Sequence, residues 1–299
     1  MDLNILLSFL FVLNAFAFGQ NNLELPPLSF DETINRDFYQ LEYNEEHEQA
    51  NWVYYRLDIS ILQGEAKRKD NFKEDSLITS FSASLNDYKG SGYDRGHLCP
   101  AGSMKINQKA MDQTFFMSNI SPQKPGFNRG IWKQLEQLIR DWVYEYKEIH
   151  VVTGPMLIGE MNGTIGENNV SVPNFFYKVI YTPDNGGKMI GFILENQASN
   201  SALECNAYTV AKIQSLTNID FFYELDNIYE NKLESKIGNF NFKAVSKKID
   251  KTKVHKTQQT KIYPKDNSFQ CRGIAKTTGV RCLKTTRRNN QLCYFHQNQ

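Results

Sequence analysis

The sequence predicts an α+β fold built on an antiparallel sheet, and three observations carry that prediction. Runs rich in aromatic and β-branched residues recur between Trp52 and Leu194 without the regular strand–helix alternation of a parallel sheet. Ile131, Leu135, Leu138, Ile139, Trp142, Val143 and Tyr146 repeat at three- and four-residue steps, the apolar face of one long helix. Pro183-Asp184-Asn185-Gly186-Gly187 stands between two strand-like runs, which is the turn chemistry of a hairpin.

Taken in order, the chain opens with a leader. An apolar run from Ile5 to Leu13 followed by Ala15-Phe16-Ala17 reads as a secretory signal peptide over residues 1–19, although Asp2 stands where a basic residue is usual. The run is shorter than the roughly 20 apolar residues of a membrane span, so no stable span is expected. Export, to the periplasm or outside the cell, is the expectation, with an uncleaved anchor as the alternative. Residues 20–48 are polar and acidic and interrupted by Pro26-Pro27, and read as a lead-in; His47, among Glu45, Glu46 and Glu48, reads as a solvated surface histidine.

The domain proper is assigned to residues 49–240. Trp52–Leu57 and Ile149–Thr153 read as strands, the latter ended by Gly154-Pro155, and His150 as a residue at a strand edge. Phe175–Tyr181 and Met189–Leu194 form the hairpin. Ala207–Leu216 has helical character, and Asp220-Phe221-Phe222-Tyr223 closes the core with Leu225 and Leu233 packed on it. At roughly 200 residues this segment can bury a core unaided.

The residues that carry chemistry lie in the middle of this domain. Arg95 and His97 in Asp94-Arg95-Gly96-His97 point to one side if the segment is extended, and Gly96 between them allows a close approach. A neutral imidazole suits water activation near neutral pH, and a guanidinium holds phosphate through paired hydrogen bonds. Asn128 precedes the long helix, and Trp132, Glu136 and Arg140 follow at four-residue steps on a stripe beside the apolar face. Asn128 and Glu136 are roughly 12 Å apart in helical rise, too far to grip one small cation together unless the loop bends back. Asn128 is therefore expected to touch a Mg²⁺ ion directly and Glu136 to reach it through water, an arrangement suited to an ion that keeps several waters. Singly, each of these residues has a bland explanation, such as an N-cap for Asn128. Their joint occurrence does not.

With these motifs the chain resembles the DNA/RNA non-specific endonuclease family. The family signature D-R-G-H is met by Asp94 to His97, and Asn119, Asn128, Glu136 and Arg140 match its later motif in identity and spacing. The likeness runs from about Asn51-Trp52 to Asp220-Phe221-Phe222. It implies a ββα-metal site in which His97 is the general base and Asn128 the only direct protein ligand of Mg²⁺ or another divalent cation. Asn119 would orient the histidine. Glu136 and the arginines Arg95 and Arg140 would hold metal-bound water and phosphate, with Arg68 a looser match to a phosphate-contacting arginine. DNA and RNA are the implied substrates, and 5′-phosphate ends the implied products.

From Asn241 onward the composition changes. The whole chain has 34 basic and 33 acidic residues; the segment from 241 has 14 and 2, so an acidic body of net −11 carries a basic tail of net +12. Residues 241–266 read as a basic linker and 267–299 as a small module. There Cys271, Cys282, Cys293 and His296 make a complete tetrahedral Zn²⁺ set, and a unit with so little core would need metal to fold. Disulfides are the competing explanation in an exported protein, but three tail cysteines cannot all pair among themselves. Cys99 and Cys205 could bond to each other, or Cys99 could be a buried thiol. The tail's Arg272, Lys276, Arg281, Lys284, Arg287 and Arg288 fit phosphate binding, an anionic envelope surface, a partner protein or merely a solvated surface.

The functional expectation is an exported, Mg²⁺-dependent endonuclease of little base preference. A catalytically inactive nucleic-acid-binding protein and a hydrolase of another phosphodiester are the alternatives. The sequence holds no glycine-rich nucleotide loop, no paired carboxylates of glycosidase type and no His-Glu-x-x-His metalloprotease motif.

Overall fold

A computed structural model describes residues 32–80 and 82–243, together with the backbone of 269–270 and 285–286. The expected leader, most of the basic linker, and Cys271, Cys282, Cys293 and His296 lie outside the described residues. Among those described, no helix is long and apolar enough to cross a membrane.

Strict alternation of side chains builds the sheet. Strands β1 (Glu32–Asn35), β2 (Tyr39–Asn44) and β3 (Gln49–Asp58) form an antiparallel meander. A short pair follows, β4 (Asp94–His97) against β5 (Ile120–Gln123). Then come β6 (Glu148–Pro155), the two-residue strands β7 (Thr164–Ile165) and β8 (Val170–Ser171), β9 (Phe175–Thr182), β10 (Lys188–Glu195) and β11 (Ala207–Tyr208). The main sheet has seven strands, in the order β1-β2-β3-β6-β9-β10-β11, and each neighbouring pair is antiparallel. The β9–β10 hairpin forms across the Pro183–Gly187 turn, where Asn185, Gly186 and Gly187 all have positive φ.

Because strand side chains alternate, the sheet has two apolar faces. Val53, Tyr55 and Leu57 of β3, Ile149 and Val151 of β6, and Phe176 and Ile180 of β9 meet the long helix Lys133–Tyr146. That helix buries Leu135, Leu138, Ile139, Trp142, Val143 and Tyr146, the face its sequence period predicts, and Ile131 is buried just before it. Trp52, Tyr54, Val152, Tyr177, Val179 and Tyr181 point the other way, under the helices Val210–Thr217 and Asn227–Glu234 and under Phe221 and Phe222. Trp142 is fully buried with its ring 4.6 Å from that of Phe240. Truncating such a ring to Ala costs about 3–5 kcal/mol, so this contact fastens the end of the domain to its centre.

Three expectations need correction. The lead-in 20–48 is part of the sheet from Glu32 on: Tyr39, Leu41 and Tyr43 are buried, and the intervening Glu42 is buried against the Asn51 amide. The acidic composition of that stretch concealed a period-2 pattern. His47 is half-buried with Nδ1 2.9 Å from Ser171 Oγ. His150 sits in a central strand, not at an edge, and is fully buried between the Tyr54 hydroxyl and Glu148. Of the two alternatives for Cys99, a bond to Cys205 or a buried thiol, the second holds: both cysteines are buried and they are not bonded to each other.

Candidate active site

The β4–β5 pair and the helical stretch that follows it line an open groove of about 980 Å³. Arg68, Arg95, His97, Asn128, Glu136 and Arg140 all line it. Residues 72 positions apart in sequence thus reach one cavity.

β4 places two of them. Arg95 and His97 lie on the same side of the strand, as alternation requires: the Arg95 guanidinium covers the Phe72 ring at 4.2 Å, and the His97 ring is 5.4 Å from the same ring. Phe115 meets the imidazole edge-on at 4.8 Å. What approaches Gly96 closely is the Gln123 side chain of the paired strand, at 2.2 Å from where a Cβ would be, so any larger residue would displace it. His97 is 7% exposed and its Nε2 is buried without a hydrogen-bond partner. This apolar cage, more than the nearby Arg68 cation, pulls the imidazole pKa down to about 3 and keeps the ring neutral.

The backbone after His97 is clamped at each polar group. Trp132 Nε1 donates to the His97 carbonyl at 3.3 Å, and Leu98 N–H donates to the Asn119 carbonyl at 3.0 Å. Asn119, fully buried, accepts from Cys99 N–H at 2.8 Å and donates to the carbonyls of Cys99 at 3.0 Å and Thr114 at 2.8 Å. Asn119 therefore does not line the groove; it reaches His97 only through the backbone. This amide thereby holds the backbone at the exit from β4.

Asn128 is on a widened helical turn, Asn128–Trp132, continuous with the one-turn helix Pro125–Phe127 and kinked at Gly130. It is not an N-cap. Its Nδ2 donates to Asp94 Oδ2 at 3.0 Å, so the amide orientation is set and Oδ1 is left as its donor atom toward a cation. Arg129 closes on the same carboxylate, Nε to Oδ2 at 2.8 Å and Nη2 to Oδ1 at 2.5 Å. The kink and wide turn lie between Asn128 and Glu136, and both line the groove despite the helical rise that separates them. Burial raises the Glu136 carboxyl pKa, opposed chiefly by Lys178 and then by Arg140, Arg68 and Lys133. Such a carboxylate gains from a nearby cation. Oxygen donors from an oriented amide and a half-buried carboxylate fit a hard divalent ion.

The arginines differ in how they are held. Arg140 is half-buried, with Nη2 3.1 Å from Gln137 Oε1 and Nη1 3.4 Å from Ser103 Oγ. Arg68 is exposed, paired to Asp70 at 2.6 Å. Two residues that sequence reasoning did not single out belong to the site's framework. In sequence Asp94 is only a letter of the D-R-G-H motif, and its partners Asn128 and Arg129 are 34 and 35 positions away. Lys178 reads as a lone charge in a strand, yet it is fully buried behind the site; a charged residue at a core-facing register position was the signal that could have found it.

The sequence model of the family described as DNA/RNA non-specific endonuclease matches residues 22–228. Nuclease C1 of Cunninghamella echinulata var. echinulata is 37% identical over 210 residues, 64% of this chain and 83% of that protein. Human mitochondrial endonuclease G is 34% identical over 189 residues, covering 59% of this chain and 64% of its own length. A solved chain from an EndoG/EndoGI complex, described as revealing the mechanism of EndoG inhibition, superposes with a TM-score of 0.63 at 30% identity, covering 66% of this chain and 88% of that one.

Proposed function

The chain belongs to the DNA/RNA non-specific endonuclease family and is a nuclease; from that premise we propose an exported, Mg²⁺-dependent endonuclease that hydrolyses DNA and RNA with little base preference. The observation that carries the reading is the convergence of a neutral buried imidazole, four guanidinium groups, an oriented amide and the Glu136 carboxylate on one groove.

His97 takes the proton from a water attacking phosphorus. Because Nε2 is buried, the proton is accepted at Nδ1. The new bond forms between the water oxygen and phosphorus as the bond from phosphorus to the 3′ oxygen breaks, leaving a 5′-phosphate. Arg95 and Arg140 hold the non-bridging phosphate oxygens, and Arg68, free at the groove's mouth apart from exposed Asp70, guides the strand in. Asn128 Oδ1 would hold the divalent ion directly, and the Glu136 carboxylate would hold it through water. When bound, that ion supplies positive charge for the negative charge that develops on the phosphorane-like transition state and on the leaving oxygen. Exposed Lys89, Arg129 and Lys133 on the same rim offset the acidic body and contact the backbone without reading bases.

Plasmid nicking tests the assignment, using protein from Gln20 onward with Mg²⁺ or EDTA beside His97→Ala. Nicking that requires Mg²⁺ and falls by about 10²-fold or more in the variant is expected. Undiminished cleavage by His97→Ala defeats it, and a gel shift without any cleavage would favour a binding protein. The tail is proposed to hold Zn²⁺ at Cys271, Cys282, Cys293 and His296; one zinc per chain by elemental analysis, lost in Cys282→Ser, is the expected result.

A further inference from the structure

The structure assigns Lys178 a positioning role in this nuclease reaction: its buried ammonium locks the His97 segment to the Asn128–Trp132 turn. The inference rests on the functional reading above and deepens it.

Lys178 shares its strand register with Phe176 and Ile180, so β9 directs it under the long helix and not toward solvent. It has no exposed surface. Nζ donates to the Leu98 carbonyl at 3.3 Å and to Thr153 Oγ1 at 3.1 Å, and stands 4.1 Å from the centre of the Trp132 ring. Among the described residues no carboxylate lies within ion-pair distance of it, and Glu136 acts on it electrostatically from farther away.

These contacts are placed tellingly. Leu98 follows His97 directly, and Trp132 is the indole that donates to the His97 carbonyl. Trp132 also closes the turn that begins at Asn128. One ammonium thus touches both halves of the proposed site, the strand that presents the base and the turn that presents the cation ligand, and ties them to Thr153 in the central sheet. A methionine would fill the same volume. Burying an ammonium is unfavourable unless its partners compensate, and in a site occupied only for packing an apolar side chain is generally as good or better. Carrying the charge here is explained by what it orients, and groups held for activity commonly trade against stability.

Lys178→Met in the full chain tests this, beside wild type, Lys178→Gln and His97→Ala, reading kcat and KM on a fixed-length duplex at saturating Mg²⁺ together with Tm. The expected result is a kcat about 10- to 100-fold lower with KM changed less than about threefold, and a Tm equal to or above that of wild type. Lys178→Gln, which keeps one donor for the Leu98 carbonyl, should recover part of the lost kcat. A kcat within threefold of wild type overturns the proposal. So does a kcat loss matched by a fall in Tm in both variants, which is the mark of a merely structural lysine. If Lys178→Met does not fold, the decision passes to Lys178→Gln by the same two readings. Absence of cleavage by wild type, or full cleavage by His97→Ala, defeats the functional reading itself and is distinguished from failure of the lysine role by those two arms.

Discussion

Asp94→Ala isolates the one contact that orients the proposed cation ligand. In the native site Asp94 accepts from Asn128 Nδ2 at 3.0 Å and from two nitrogens of Arg129 at 2.5 and 2.8 Å. The Arg129 side chain is 72% exposed and that of Asp94 16% exposed, so the ion pair itself is solvent-screened and worth at most about 1 kcal/mol. The Asn128 bond is different. A hydrogen bond to a charged, mostly buried acceptor contributes about 1.5–3 kcal/mol, and without it the amide is free to turn its nitrogen toward the cation site. At about 1.4 kcal/mol per tenfold, the affinity for Mg²⁺ should weaken by about 10- to 100-fold, the range typical of lost groups that orient a metal ligand. The assay is the rate of plasmid nicking across a Mg²⁺ titration. The midpoint should move up by that factor while the rate at saturating Mg²⁺ stays within about threefold, because the Asp94 carboxylate is bonded to Asn128 and Arg129 and not to His97. Arg129→Ala, which leaves the Asp94–Asn128 bond in place, should move the midpoint by less than about threefold. An unchanged midpoint in Asp94→Ala, or a loss that no amount of Mg²⁺ restores, refutes the reasoning.

Three further outcomes follow from buried groups. Asn119→Ala strands the Cys99 N–H and the Cys99 and Thr114 carbonyls in a dry interior, so it should cost about 2–4 kcal/mol in a urea melt; a loss under 1 kcal/mol would show that the clamp is dispensable. The His97 pKa of about 3 lies below its unfolded value near 6.5, so its neutral form contributes stability that is whole above pH 6.5 and drains away as pH falls toward 3. That contribution is up to roughly 5 kcal/mol, and His97→Gln should show a flatter stability profile than wild type between pH 7 and 4; parallel profiles would count against a desolvated imidazole. Glu230 and Glu234 behave in the opposite sense. Burial, with Asp220 beside Glu230 and Glu230 beside Glu234, lifts their pKa values to about 7 and about 8, so folding is weakened as pH rises from about 4.5 through 8. Glu234→Gln should therefore raise Tm at pH 8 and leave it nearly unchanged at pH 5, and a lower Tm at pH 8 would contradict this.

What could be read from the sequence is what depends on local periodicity and on the chemistry of single motifs. The apolar steps from Ile131 to Tyr146 gave the helix and its buried face, the Pro183–Gly187 turn gave the hairpin, and Asp94–His97 with Asn128, Glu136 and Arg140 gave the family and the groove's lining. These survive in one dimension because a helix face or a hairpin turn is encoded within a dozen residues. Where composition masked the period, as in the acidic stretch holding Tyr39, Leu41 and Tyr43, the strands were missed. Long-range pairing was out of reach in the same way. Only the folded chain brings Asp94 against Asn128, Asn119 against Cys99, and the Lys178 ammonium against Leu98 and Trp132, because each contact joins segments 20 or more residues apart. The order of residues fixes which reactive groups the protein owns and which local elements carry them. The tertiary structure alone decided which nitrogen of Asn128 is committed and which charge is buried behind His97, since orientation and desolvation are properties of neighbours that the chain meets only on folding.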